Sequence, residues 1–151
     1  MRTAILVMLS LLAGFAVNRA AAEDTITTVE TDTAFADVMT DLQDAIINRG
    51  YVIDYHSHIG EMLSRTAGDV GADKQVYKNA EFLQFCSAVL SRAAMEADIG
   101  NIAYCPYILF AYEPAAYPGK VTVGFRRLPP GDGRDQVNET LNEILHDAAG
   151  Q

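Results

Sequence analysis

The sequence predicts an α+β domain, a mainly antiparallel sheet with helices packed on one face. Three observations carry that expectation. Short runs rich in β-branched and aromatic residues alternate with amphipathic helical stretches. Two of those runs, near the C-terminal end, form a hairpin around the turn Pro114–Gly119. The order β-α-β-(short α)-β-α-β-β-α then suits a two-layer sandwich.

The N-terminal segment is set apart from that domain. Arg2 supplies a positive start, Ala4 to Val17 an apolar run, and Ala20-Ala21-Ala22 a small-residue cleavage site. Residues 1–22 are therefore expected to be a cleaved signal peptide, with 23–151 the single mature domain. The apolar run is shorter than the roughly 18 residues that a spanning helix needs, so no stable membrane span is expected after cleavage. The expected location is periplasmic or secreted. An uncleaved anchor is the alternative.

The elements follow in order. Asp24 to Glu30 is a strand suited to a sheet edge. Asp32 or Thr33 can cap the next helix, in which Phe35, Val38, Met39, Leu42, Ala45 and Ile46 form one stripe and Asp37, Asp41 and Asp44 the solvated side. Gly50 supplies the stop. Tyr51 to His56 is a second strand, and Ser57 begins a short helix with Ile59, Met62 and Leu63 on one face. Thr66 to Lys74 is a Gly/Asp-rich loop. Gln75 to Phe85 is a third strand. Ser87 can cap a helix whose narrow, small-residue stripe of Leu90, Ala93, Ala94 and Ala97 lets it approach a sheet. Ile102 to Glu113 reads as a fourth strand covered on both faces, with a bulge or edge at Pro106. Val121 to Arg127 alternates as the fifth strand, and Gln136 to His146 is a final amphipathic helix.

Several of these residues together resemble a known family. Phe85-Cys86-Ser87 opens a helix, Ala97-Asp98 follows near its end, and Asn101-Ile102 and Cys105-Pro106 lead into an apolar strand. With Val121-Thr122-Val123-Gly124-Phe125-Arg126-Arg127 and the upstream His58-Ile59-Gly60-Glu61-Met62-Leu63, the pattern resembles domain of unknown function 302 over about residues 35–128. The resemblance implies a small α+β domain able to pair into homodimers, with no established reaction or cofactor. Ala88 stands where the family often has proline in the first helical turn, and its absence leaves the serine cap intact.

Composition narrows the function. The 151 residues carry a net charge of −9, and loss of Arg2 and Arg19 with the leader takes it to −11. That sign disfavours nucleic acids and anionic lipid, which need a cationic face. Phosphate-loop, zinc-protease and nucleophile-elbow motifs are absent from the sequence. No catalytic residue is assigned, and no cofactor is expected beyond an optional soft metal ion.

Cys86 and Cys105, 19 positions apart, admit three readings: separately buried thiols, a structural disulfide, or a reactive or metal-binding pair. His56 and His58 stand two apart. Their rings point the same way if the strand runs through both and diverge if Ser57 caps a helix. A histidine joined to a cysteine thiolate is the sharpest metal site the sequence offers. Tyr104, Tyr107, Tyr112 and Tyr117 cluster near the hairpin and can wall a pocket or cover the sheet. Arg126 can grip a carboxylate ligand or make an internal ion pair. Asn138-Glu139-Thr140 matches a glycosylation acceptor inside a predicted helix and is discounted.

The leading expectation is an exported, non-catalytic domain that binds a small ligand or protein partner near His56, His58, Cys86, Tyr104, Cys105 and Arg126. Soft-metal or thiol/disulfide handling through the two cysteines is the second. A purely structural or assembly role is the third.

Overall fold

The structure, a computed structural model, describes residues 25–150. The expected leader and its expected cleavage point lie outside the described residues. Five strands form one antiparallel sheet: β1 (Ile26–Thr31), β2 (Val52–Ser57), β3 (Tyr77–Cys86), β4 (Tyr107–Pro114) and β5 (Val121–Arg126), in the spatial order β1-β5-β4-β3-β2. Four α-helices accompany them: α1 (Phe35–Ile47), α2 (Ile59–Thr66), α3 (Ala88–Ala97) and α4 (Arg134–Ala149). The expected α+β order and antiparallel sheet are present. No helix among the described residues is long and apolar enough to cross a membrane.

One hydrophobic core explains the layering. Cross-strand partners share a sheet face. The registers His56–Leu83–Leu109–Phe125 and Ala111–Val123–Val29 therefore align one set of side chains across the sheet. Leu83, Leu109, Val123 and Phe125 are fully buried there against Val38, Leu42 and Ile46 of α1 and Val137, Leu141, Ile144 and Leu145 of α4. Phe85 stacks on Tyr51 with ring centroids 5.4 Å apart and meets Tyr107 edge-on at 5.8 Å. The opposite register, Phe82–Phe110–Gly124–Thr28, forms the face turned away from α1 and α4.

Several local expectations need correction. The helix after β1 has Ala34 at its N-cap with no side-chain cap: Thr33 bonds to Thr31 (3.0 Å) and Asp32 pairs with Lys120 (2.6 Å) instead. Ser57 ends β2 rather than starting α2, whose N-cap is His58. Ile99–Tyr104 is a 3₁₀ segment and not strand. Asp98 accepts the Gly100 N–H at 2.8 Å, while the Asn101 amide donates to the Ala94 and Asp132 carbonyls at 2.7 and 2.8 Å. These bonds outweigh the β-propensity of Ile102 and Tyr104. Pro106 accordingly precedes the fourth strand instead of interrupting it, and follows a cis peptide bond. That strand alternates buried with half-buried positions, so helices cover it on one side only.

The small stripe of α3 also has a different neighbour. Only Ala94 is buried, and it lies against Gly133, where a Cβ would stand 2.9 Å from the Ala94 Cα. Ser87 does cap this helix, its Oγ accepting from the Leu90 N–H at 3.2 Å.

Candidate functional site

Two histidines and a glutamate converge where β2 gives way to α2. A register shift between Ile53 and Tyr55 re-aims the end of β2, so His56 pairs with Leu83 and shares its sheet face. On β3, side chains alternate, and Glu81 falls on the same face as Leu83 and Phe85. His58 follows immediately after the strand. Its carbonyl accepts the first helical N–H of α2, from Met62 at 3.2 Å. Gly60 then lies so close to β3 that a Cβ there would be 2.8 Å from the Ala80 nitrogen. This contact fixes the start of α2, and with it His58, beside Glu81.

The resulting distances are short. His56 Nε2 is 2.5 Å from Glu81 Oε2, and His58 Nδ1 is 3.2 Å from Glu81 Oε1. The two imidazole centroids are 4.4 Å apart. One donor atom from each residue lies within 4.8 Å of the others. The three side chains remain partly open to solvent, at 30%, 51% and 21% exposure for His56, His58 and Glu81. A single carboxylate thus faces two ring nitrogens in a half-sheltered position, an arrangement able to hold a cation or a ligand with paired hydrogen-bonding groups.

The other residues singled out from sequence do not join this cluster. Cys86 and Cys105 form a disulfide with Cα atoms 6.4 Å apart. Of the three readings, the structural bond is the one realised. A site combining a histidine with a cysteine thiolate does not form. Both sulfurs are consumed by the bond, and Cys86, paired with Val52, alternates to the sheet face opposite His56 and Glu81. Ser91 Oγ approaches the Cys105 sulfur at 3.7 Å and donates to the Tyr107 hydroxyl oxygen at 3.2 Å. Burial raises the Tyr107 pKa above its ordinary value, although the Ser91 bond opposes that shift.

Tyr104 has a structural neighbour: the Arg134 guanidinium lies 5.5 Å from its ring centroid. Arg126 sits on β5, separated from β2 by β4 and β3, and on the other sheet face. It is exposed, and among the described residues neither it nor Arg127 makes an ion pair. The expected surface around all six residues therefore contracts to His56 and His58, with Glu81 added.

Glu81 escaped the sequence reading. The available signal was its place in the β3 alternation: a carboxylate at an inward position, two residues before the buried Leu83. Nothing in the sequence links it to His56, 25 residues earlier.

No family model matches the chain, and no curated protein does. Among solved structures, the chain is similar to the crystal structure of the uncharacterized conserved protein DUF302 from Bacillus stearothermophilus. The match has a TM-score of 0.68 at 14% identity and covers 83% of this chain and 98% of that one. This chain has the DUF302 fold. At that identity the likeness extends to architecture alone, so the DUF302 fold supplies the scaffold on which the His56–His58–Glu81 cluster is read.

Proposed function

We propose that the chain is an exported, non-catalytic domain that binds a small ligand at the surface formed by His56, His58 and Glu81. The observation that carries this reading is the convergence of three polar side chains, from β2, the α2 N-cap and β3, on one partly open position. Polar groups gathered in this way on rigid elements provide orientation and specificity for a ligand. Export is supported by the leader-like N-terminus and by the Cys86–Cys105 bond, since disulfides persist in oxidising compartments.

Native mass spectrometry of the mature protein from its source tests the binding reading. A bound species is expected in the wild type and is lost from a His58→Ala, Glu81→Gln double variant. Persistent absence of any species from wild-type protein would sink it. N-terminal sequencing of the same sample should begin at Glu23, and a chain still starting at Met1 would remove the cleaved leader and leave the uncleaved anchor in its place.

A second reading concerns assembly. Tyr55, Phe82, Phe110 and Tyr112 lie on the sheet face turned away from α1 and α4, and Tyr55 is 53% exposed. We propose a second copy of the chain as the occupant of that face. Sedimentation should give a dimer that Tyr55→Glu converts to monomer. A monomeric wild type at high concentration rules the pairing out.

A further inference from the structure

We propose that His56, His58 and Glu81 bind a divalent first-row transition-metal ion of the zinc class. The proposal rests on the binding surface described above and names its ligand.

The donor types come first. Two imidazole nitrogens and one carboxylate oxygen suit Zn(II), Co(II), Ni(II) and Cu(II), whereas Mg(II) and Ca(II) take oxygen donors almost alone. The disulfide removes both thiolates, so the soft-ion chemistry of free cysteine plays no part.

The spacing fits as well. Ligands at about 2.0–2.1 Å from a tetrahedral ion stand about 3.3 Å from one another. Here the glutamate oxygens lie 2.5 and 3.2 Å from His56 Nε2 and His58 Nδ1, and all three donors fall within 4.8 Å. Small side-chain rotations bring them onto one ion. No backbone change is needed, because the ladder pairs His56–Leu83 and Glu81–Ala111 hold two of the residues and the Gly60–Ala80 contact holds the third.

Partial exposure sets the character of the site. Three protein ligands leave at least one coordination position facing solvent, so the ion is exchangeable and can carry a water or an exogenous ligand. The single carboxylate offsets one of the ion's two positive charges, and the chain's net charge of −9 favours approach of a cation.

The test uses the mature, disulfide-bonded protein stripped with EDTA. Co(II) titration should give visible d–d bands saturating at one ion per chain, with no sulfur-to-cobalt charge-transfer band. Zn(II) calorimetry should give the same stoichiometry. His58→Ala and Glu81→Gln should each weaken Zn(II) by roughly tenfold or more, since losing even an outer-sphere partner typically costs 10–100-fold. His58 is half exposed and makes no side-chain cap bond, so its alanine variant should keep the wild-type circular dichroism and melting temperature without metal. Absence of Co(II) bands, or equal Zn(II) affinity in wild type and both variants, overturns the proposal and leaves the cluster as a set of histidine–glutamate hydrogen bonds. The broader binding reading fails separately. If metal does not bind but native mass spectrometry finds an organic species that His58→Ala releases, the surface binds a ligand and the metal assignment alone is wrong.

Discussion

Gly60 rests on the β3 backbone at Ala80 with no room for a side chain. A Cβ on Gly60 would sit 2.8 Å from the Ala80 nitrogen and 3.3 Å from its Cβ and carbonyl oxygen. Two of these three neighbours are backbone atoms, so the strand cannot yield locally, and α2 must lift away instead. Gly60→Ala is therefore expected to destabilise the fold by about 1–3 kcal/mol, the usual cost of overpacking. It should also move His58 off Glu81. Gly68→Ala is the control, because a Cβ there meets nothing within 4 Å. Urea denaturation of both variants checks the claim, and equal midpoints for the two would refute it.

The β4–β5 turn is pinned by a buried carboxylate. Glu113, 4% exposed, accepts from the Gly119 N–H at 2.7 Å, the Lys78 ammonium at 2.9 Å and the Asn79 amide at 2.7 Å. The Gly119 bond first, and then the Lys78 bond, hold its pKa below the ordinary glutamate value. A carboxyl whose pKa is lower folded than unfolded stabilises the native state above the unfolded value. That contribution disappears as pH falls through the folded value. Glu113→Gln is expected to cost about 1–3 kcal/mol at pH 7, in the range for a buried group left with a poorer partner. The gap should narrow on acidification to about pH 3, below the ordinary value of about 4.3 at which the carboxyl of the unfolded chain takes up its proton. A difference that stays constant between pH 7 and pH 3 would show that the charge of Glu113 is irrelevant.

The sequence discloses the fold more fully than the site, and particular residues show why. Local periodicity is strong in α1, where Val38, Met39, Leu42, Ala45 and Ile46 are all buried as their spacing requires. The sheet is legible for the same reason, since alternation in β5 and the hairpin turn specify neighbours. What fails is decided by partners distant in sequence. The Ile99–Tyr104 segment follows Asn101, which donates to a carbonyl 31 residues away at Asp132. Arg134, which contacts Asn101 Oδ1 at 2.8 Å and faces the Tyr104 ring, was invisible for that reason. Glu81 is the same case. Its meaning depends on a strand register that periodicity cannot supply.

The disulfide makes a direct stability prediction. Joining residues 19 apart removes loop freedom from the unfolded chain, worth on the order of 3 kcal/mol in the chain-entropy model. Cys86→Ser, Cys105→Ser and the double variant should lose similar amounts, because each breaks the same bond. Thiol counting on unreduced wild type should find no free cysteine. Two titratable thiols, or single variants no less stable than wild type, would show that the bond does not form in solution.

Asn138 offers the sharpest mutational contrast in α4. Its Oδ1 accepts from the Leu128 N–H at 2.9 Å, and its Nδ2 donates to the Leu128 carbonyl, also at 2.9 Å. The side chain, 7% exposed, thereby stands in for a β-ladder partner just beyond β5. Its amide nitrogen is committed and covered, so the Asn138-Glu139-Thr140 motif is closed to glycosylation in the folded protein. Asn138→Ala strands both backbone groups of buried Leu128, each costing about 1–3 kcal/mol when left unpaired. Asn138→Asp keeps the acceptor but loses the donor and sets a carboxylate against a carbonyl oxygen. Both variants should therefore lower the melting temperature well below that of Asn142→Ala, four residues on. If Asn138→Ala melts with Asn142→Ala, the Leu128 bonds carry no net stability and the chain after β5 is held by packing alone.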